Sequence, residues 1–117
     1  MNITERSREF DKVEEYLLTL SKDAMSLKDV EDGTVIPVAG YLVYEDINSK
    51  DEEVEILSII TPTNEVYSCQ SATFKKSFKQ MWDLMGGQSF SVIKTSGTTK
   101  AGRPYIDCTL DRKSVNK

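Results

Sequence analysis

Histidine is absent from the 117 residues. Without an imidazole there is no Ser-His or Cys-His nucleophile pair, and a zinc site is restricted to two cysteines and carboxylates. Cysteine is almost as scarce, with Cys69 and Cys108 alone. In a reducing compartment two such residues on separate strands read as buried thiols rather than a disulfide. No apolar run approaches the ~20 residues of a membrane span. The opening Met-Asn-Ile-Thr-Glu-Arg has no apolar stretch behind its charges, so no signal peptide is expected and the protein reads as cytoplasmic. There is no Gly-rich loop of the P-loop or Rossmann kind, no nucleophile elbow, and no EF-hand spacing. The expectation is a protein that is not an enzyme and takes no cofactor and no metal.

What is present describes a soluble globular chain. Apolar residues make up 38% and charged residues 29%, too apolar for disorder. The net charge of −4 hides a division. Residues 1–65 carry 16 acidic and 6 basic side chains, a net −10, whereas residues 66–117 carry 3 and 9, a net +6. Such asymmetry suits a polyanion partner or an acidic–basic division of labour, unless the halves mix on one surface.

The chain divides near Gly33. Residues 1–32 read as an acidic helical segment. Asn2 or Thr4 is a candidate cap, and Phe10, Val13, Tyr16 or Leu17, and Leu20 recur at three- and four-residue steps. This helix is expected to plug one end of the following domain or to act as a docking arm. Residues 33–111 then show three strand-like runs, at 34–44, 54–61 and 66–70. Pro37 places the start of the first at an edge or a bulge, and Gly40 suggests a bend. Ser71 reads as an N-cap for a helix carrying Phe74, Phe78, Met81, Trp82 and Met85 on one stripe, stopped by Gly86-Gly87. That stripe reads as core. Two further strands follow at 90–95 and 104–110, with Ile106, Cys108 and Leu110 facing opposite to Tyr105, Asp107 and Thr109. Residues 112–117 form a short basic tail, expected to fray. The order β-β-β-α-β-β is that of a five-stranded OB-fold barrel, mainly β with α, whose strands and loops bind oligonucleotides.

Within that frame the candidate ligand residues are basic and aromatic. Lys94, Lys100 and Arg103 cluster on the fourth strand and the loop to the fifth, and Lys75 sits at the start of the helix. Bases there would meet phosphates and release counterions. Tyr44, Tyr67 and Tyr105 are candidate stacking platforms, since unpaired bases stack on flat side chains. By parity Tyr41 and Tyr44 face opposite ways, and Tyr105 faces away from the core. Each tyrosine can equally be a packed ring. The acidic connection at 46–55, with one lysine among its carboxylates, opposes nucleic acid on its side.

Several segments together resemble a family. Val38-Ala39-Gly40-Tyr41-Leu42-Val43-Tyr44-Glu45-Asp46, the Val66-Tyr67-Ser68 strand leading into Ser71-Ala72-Thr73-Phe74-Lys75-Lys76-Ser77-Phe78, and Lys100-Ala101-Gly102-Arg103-Pro104-Tyr105-Ile106-Asp107-Cys108 are similar to small single-stranded-DNA-binding proteins of phages of Gram-positive bacteria. The resemblance covers residues 33–110. It implies an OB fold, sequence-tolerant binding of single-stranded DNA, a role in phage DNA replication or recombination inside the host cell cytoplasm, and ligand contact at Lys100, Arg103, Tyr105 and Tyr67. Many such proteins end in an acidic tail that recruits replication proteins. Here the tail is Arg112-Lys113-Ser114-Val115-Asn116-Lys117, which leaves the acidic N-terminal segment as the candidate surface for replication or host proteins. The alternative is a protein-interaction module, such as a phage inhibitor of a host enzyme, that uses the acidic N-terminal half.

Overall fold

The computed structural model describes residues 1–115. It is a mixed α/β fold made mostly of strands, with two helices and two open sheets. The elements in chain order are β1 (Asn2–Arg6), α1 (Lys12–Thr19), β2 (Met25–Ser26), a 3-10 turn (Leu27–Asp29), β3 (Val35–Val38), β4 (Gly40–Ile47), β5 (Glu53–Ile60), β6 (Val66–Cys69), α2 (Ala72–Met85), β7 (Phe90–Thr98), β8 (Pro104–Asp111) and a 3-10 turn (Arg112–Ser114). One sheet has the order β1-β4-β5-β6-β2 and the other β3-β7-β8. The two are joined at Ala39, where the expected first strand breaks into β3 and β4. Pro37 lies on β3, an edge strand, where its missing N–H costs no ladder bond.

The closed five-stranded barrel expected from the element order does not form. β6 and β8 make no ladder with each other, because the outer edge of β6 is taken by β2. Met25 and Ser26 pair in parallel with Tyr67 and Ser68. Ser71 Oγ, which caps α2, donates to the Ile106 carbonyl at 3.3 Å and so bridges this seam.

The N-terminal segment also departs from expectation. Residues 2–6 are a strand, not the start of a helix. They pair antiparallel with β4, opposite residues 42–45. The helix begins only after Asp11, whose carboxylate accepts from the Glu14 N–H at 2.7 Å while Glu14 accepts from the Asp11 N–H at 3.1 Å. This reciprocal capping box is a stronger start signal than a lone polar residue. The helix is short and turned relative to the expected stripe. Leu18 is its buried residue, packed with Leu42, Tyr44, Ile60 and Val66, while Val13, Tyr16 and Leu20 are exposed. Its acidic side is partly neutralised, with Arg6 on Glu15 at 2.8 Å and Arg8 on Glu14 at 2.9 Å.

The five-stranded sheet thus buries both faces. Tyr41, Val43, Leu57, Ile59, Tyr67 and Cys69 form one core with Phe74 and Phe78 of α2 and Phe90 and Val92 of β7. The other face lies under α1. The α2 stripe is core as expected, although Trp82, Met81 and Met85 are only partly buried. Ser71 accepts from the Phe74 N–H, and Gly86 ends the helix in the left-handed region at φ 57. Residues 112–115 are not frayed: Ser114 Oγ accepts from the Ser91 N–H at 2.8 Å, and Val115 packs on the core. Residues 116–117 of the expected tail lie outside the described residues. Among the described residues no helix is long and apolar enough to cross a membrane.

Candidate nucleic-acid interface

The seam between β6 and β8 opens into a cleft of about 800 Å³. Its formation follows from the inward row of β7. Phe90 and Val92 are apolar and buried, but the next two inward positions are Lys94 and Ser96, so the row turns polar where the sheet leaves the core. Tyr44 and Ile56 line the cleft from β4 and β5, Ser68 from β6, and Pro104, Tyr105 and Ile106 from β8. Ser26, Lys28 and Asp29 close one side.

Lys94 sits in the cleft wall and is 4% exposed. Its ammonium donates to the Val30 carbonyl at 2.7 Å and to Asp32 Oδ1 at 3.0 Å. Ser96 Oγ donates to the other carboxylate oxygen of Asp32. The Ser96 hydrogen bond, followed by that of Lys94, holds the Asp32 carboxyl below its ordinary range. Backbone bonds lock the same corner, from the Gly33 N–H to the Lys94 carbonyl at 2.8 Å and from the Lys94 N–H to the Thr34 carbonyl at 3.0 Å. Lys94 is therefore a paired, buried cation and not a free phosphate contact.

The other expected residues separate into two groups. Tyr44 is 7% exposed and Tyr67 8%. Burial, then the nearby Asp46, pushes the Tyr44 hydroxyl pKa up, and burial, then Glu65, does the same at Tyr67. Tyr67 is a core ring, and Tyr44 is packed under α1 while lining the cleft. Parity separates Tyr41 from Tyr44, as expected, yet both are buried. Lys75 donates to the carbonyl and to the carboxylate of Glu55, at 3.1 and 3.2 Å. It ties α2 to β5 and to the acidic hairpin.

Lys100, Arg103 and Tyr105 remain exposed on the β7–β8 hairpin. Neither Lys100 nor Arg103 has an acidic partner among the described residues. The hairpin tip is ordered by its backbone, with the Thr99 N–H donating to the Arg103 carbonyl at 2.9 Å and the Arg103 N–H to Thr99 Oγ1 at 3.1 Å. Tyr105 is 38% exposed and pairs across the ladder with Gly97. A Cβ at Gly97 would lie 2.7 Å from Tyr105 Cζ, so the ring lies across the glycine.

Gly97, Asp32 and the cleft residues Ser26, Ser68 and Gln70 were missed from the sequence. Gly97 had a signal: a glycine within a strand marks a close approach, and the hairpin register puts Tyr105 opposite it. Asp32 had none, since it lies 62 residues from Lys94.

Among the described residues no group of three or more histidine, cysteine or acidic side chains is placed to hold a metal ion. Both cysteines are buried and unpaired. Comparison of the chain with protein-family models, with curated protein sequences and with solved structures finds no match.

Proposed function

We propose that the protein binds single-stranded DNA without catalysis, on an opened version of the OB-type strand layout, in phage DNA replication or recombination. The observation that carries the reading is the β7–β8 hairpin. It carries an exposed ring, Tyr105, which also borders the cleft, together with two cations, Lys100 and Arg103, that have no acidic partner among the described residues. Single strands need this combination, a flat surface for bases and positive charge for the backbone. The layout supports it too. The β3–β4 strand pairs with both β5 and β7, and α2 follows β6, as in a five-stranded OB arrangement whose last pairing is replaced by β2. Carboxylates on the β4–β5 hairpin bias the strand toward the β7–β8 side.

The test is fluorescence anisotropy of labelled oligo-dT at several salt concentrations, with duplex as competitor. Saturable binding that resists duplex and weakens with salt is expected. Replacing Lys100 and Arg103 with alanine should flatten the logarithmic salt slope by about 1.4, two single-strand phosphates' worth. Absence of binding at low salt overturns the proposal.

One observation favours the second reading, a protein-interaction module such as an inhibitor of a host enzyme. Val13 and Tyr16 on α1, with Leu20 at its C-cap, form an exposed apolar stripe. Replacing Val13 and Leu20 with aspartate should abolish capture of a host protein and leave oligonucleotide binding intact. Capture that survives removes this reading.

A further inference from the structure

We propose that the β6–β8 cleft receives one unpaired base and reads it through Lys94, favouring thymine, whose edge offers carbonyl oxygens and no exocyclic amino group. The inference rests on the single-stranded-DNA reading and adds base selectivity at one position to it.

The argument starts from the donor count at Lys94. An ammonium has three N–H groups. Two are directed to Val30 O and Asp32 Oδ1, and no other described residue accepts the third. The side chain is buried, and it lines the cleft. A buried donor left without an acceptor is costly, so an arriving acceptor is rewarded more than at the surface.

Charge then decides what kind of acceptor fits. Lys94 is matched by Asp32, and Lys28 and Asp29 add one charge of each sign to the lining. The cleft is neutral overall, and a carboxylate sits 3.0 Å from the donating ammonium. A phosphate would face that carboxylate, whereas a neutral carbonyl oxygen would not. Phosphates are better placed outside, at Lys100 and Arg103. The walls suit a flat ring: Pro104, Ile106 and Ile56 are apolar, and Ser26, Ser68 and Gln70 make no side-chain hydrogen bond to another described residue. Three free polar groups and one buried cation around apolar walls are what fixes a small planar ligand in one orientation.

Thymine and cytosine differ at this cation. N1 is tied to the sugar, so O2, which both pyrimidines carry, stays beside the backbone. The edge that reaches Lys94 is the 4-position, where thymine presents a carbonyl and cytosine an amino group; an amino group facing an ammonium sets donor against donor. The comparison of oligo-dT with oligo-dC, each of about 15 nucleotides, avoids the self-stacking of purines. Wild-type protein should bind oligo-dT about tenfold more tightly than oligo-dC. The double variant Lys94→Met, Asp32→Asn, which removes both charges together, should bring the two affinities to parity with the salt slope unchanged. Equal affinity in the wild type overturns the inference and leaves the single-stranded-DNA reading standing. Binding of neither oligomer overturns both. Should the double variant fail to fold, free thymidine titrated into wild-type protein decides by NMR. Thymidine should shift the amides of Ser68, Lys94 and Tyr105, and deoxycytidine should not. Absent or identical shifts overturn the proposal.

Discussion

Replacing Gly97 with alanine is the sharpest perturbation of the candidate interface, because it moves one ring and little else. A methyl at Gly97 would stand 2.5 Å from the Tyr105 hydroxyl oxygen, 2.7 Å from Cζ and 3.0 Å from Cε1. Comfortable carbon contacts begin at about 3.5 Å, so the ring has to swing by roughly an ångström. Nothing but the far end of a partly exposed side chain stands in the way, and the displaced rotamer costs about 0.5–1.5 kcal/mol. Alanine in a strand regains about 0.5–1 kcal/mol over glycine, so the net change in stability should stay within about 1 kcal/mol. Affinity for oligo-dT should fall much more. Losing one stacked base costs about 1–3 kcal/mol, roughly a 5- to 150-fold weakening, with the salt slope unchanged because no cation has moved. Anisotropy titrations read the affinity and a urea melt reads the fold. Tyr105→Ala should lose a similar amount, and the double variant no more than either, since both act through the same ring. An affinity within about twofold of wild type, with the ring shown displaced by NMR, would refute Tyr105 as the stacking platform.

Three further outcomes test the fold beneath the site. Phe78 is fully buried, with its ring 5.2 Å from that of Tyr41 and 6.4 Å from that of Phe90, so Phe78→Ala should lower unfolding free energy by about 3–5 kcal/mol in a urea melt. Burial pushes the Cys69 thiol up to about 11 and the Cys108 thiol up to about 12. At pH near 8 a thiol reagent should therefore react with neither until denaturant is added, and rapid native-state labelling would contradict the burial of the two thiols. Burial works to raise the Glu5 pKa, but hydrogen bonds from Lys79, at 2.7 Å, and from Tyr41 outweigh it, and the net direction is down from 4.5. The resulting stabilisation is present above pH 4.5 and lost as the pH falls through the folded-state value. Glu5→Gln should cost about 1 kcal/mol or less at pH 7, given the exposure of the pair, and should make the acid-side loss of stability shallower. An unchanged acid limb in urea melts at stepped pH would show that the pair is not coupled to folding.

How much was legible in the sequence depended on how far the deciding contact lay along the chain. α2 was readable because its cap, its stripe and its stop are local: Ser71, the Phe74–Phe78 spacing and Gly86 all fall within one helix. The later strands were readable for the same reason, since alternation assigns faces. Alternation does not say whether a face is covered. It separated Tyr41 from Tyr44 but could not show that α1 covers the second face, so Tyr44 is packed rather than open. Residues 2–6 became a strand through partners that local patterns do not reveal, the pairing with β4 and the bond from Lys79, 74 residues away, to Glu5. Lysines look alike in a sequence, and only the fold separates Lys75 and Lys94, each held by a distant carboxylate, from Lys100, which has none among the described residues. This explains why the two parts of the proposed interface differed in visibility. The hairpin with Lys100, Arg103 and Tyr105 is one local unit, and its chemistry can be read directly. The cleft is assembled from residues of the N-terminal segment, β4, β5, β6, β7 and β8, and its buried cation Lys94 is defined by Asp32, on the other side of the acidic–basic divide. The charge asymmetry is thus used twice. It leaves Lys100 and Arg103 without an acidic partner among the described residues at the hairpin, where the proposed phosphate backbone would need them, and it cancels at the cleft, where the proposed neutral base would not.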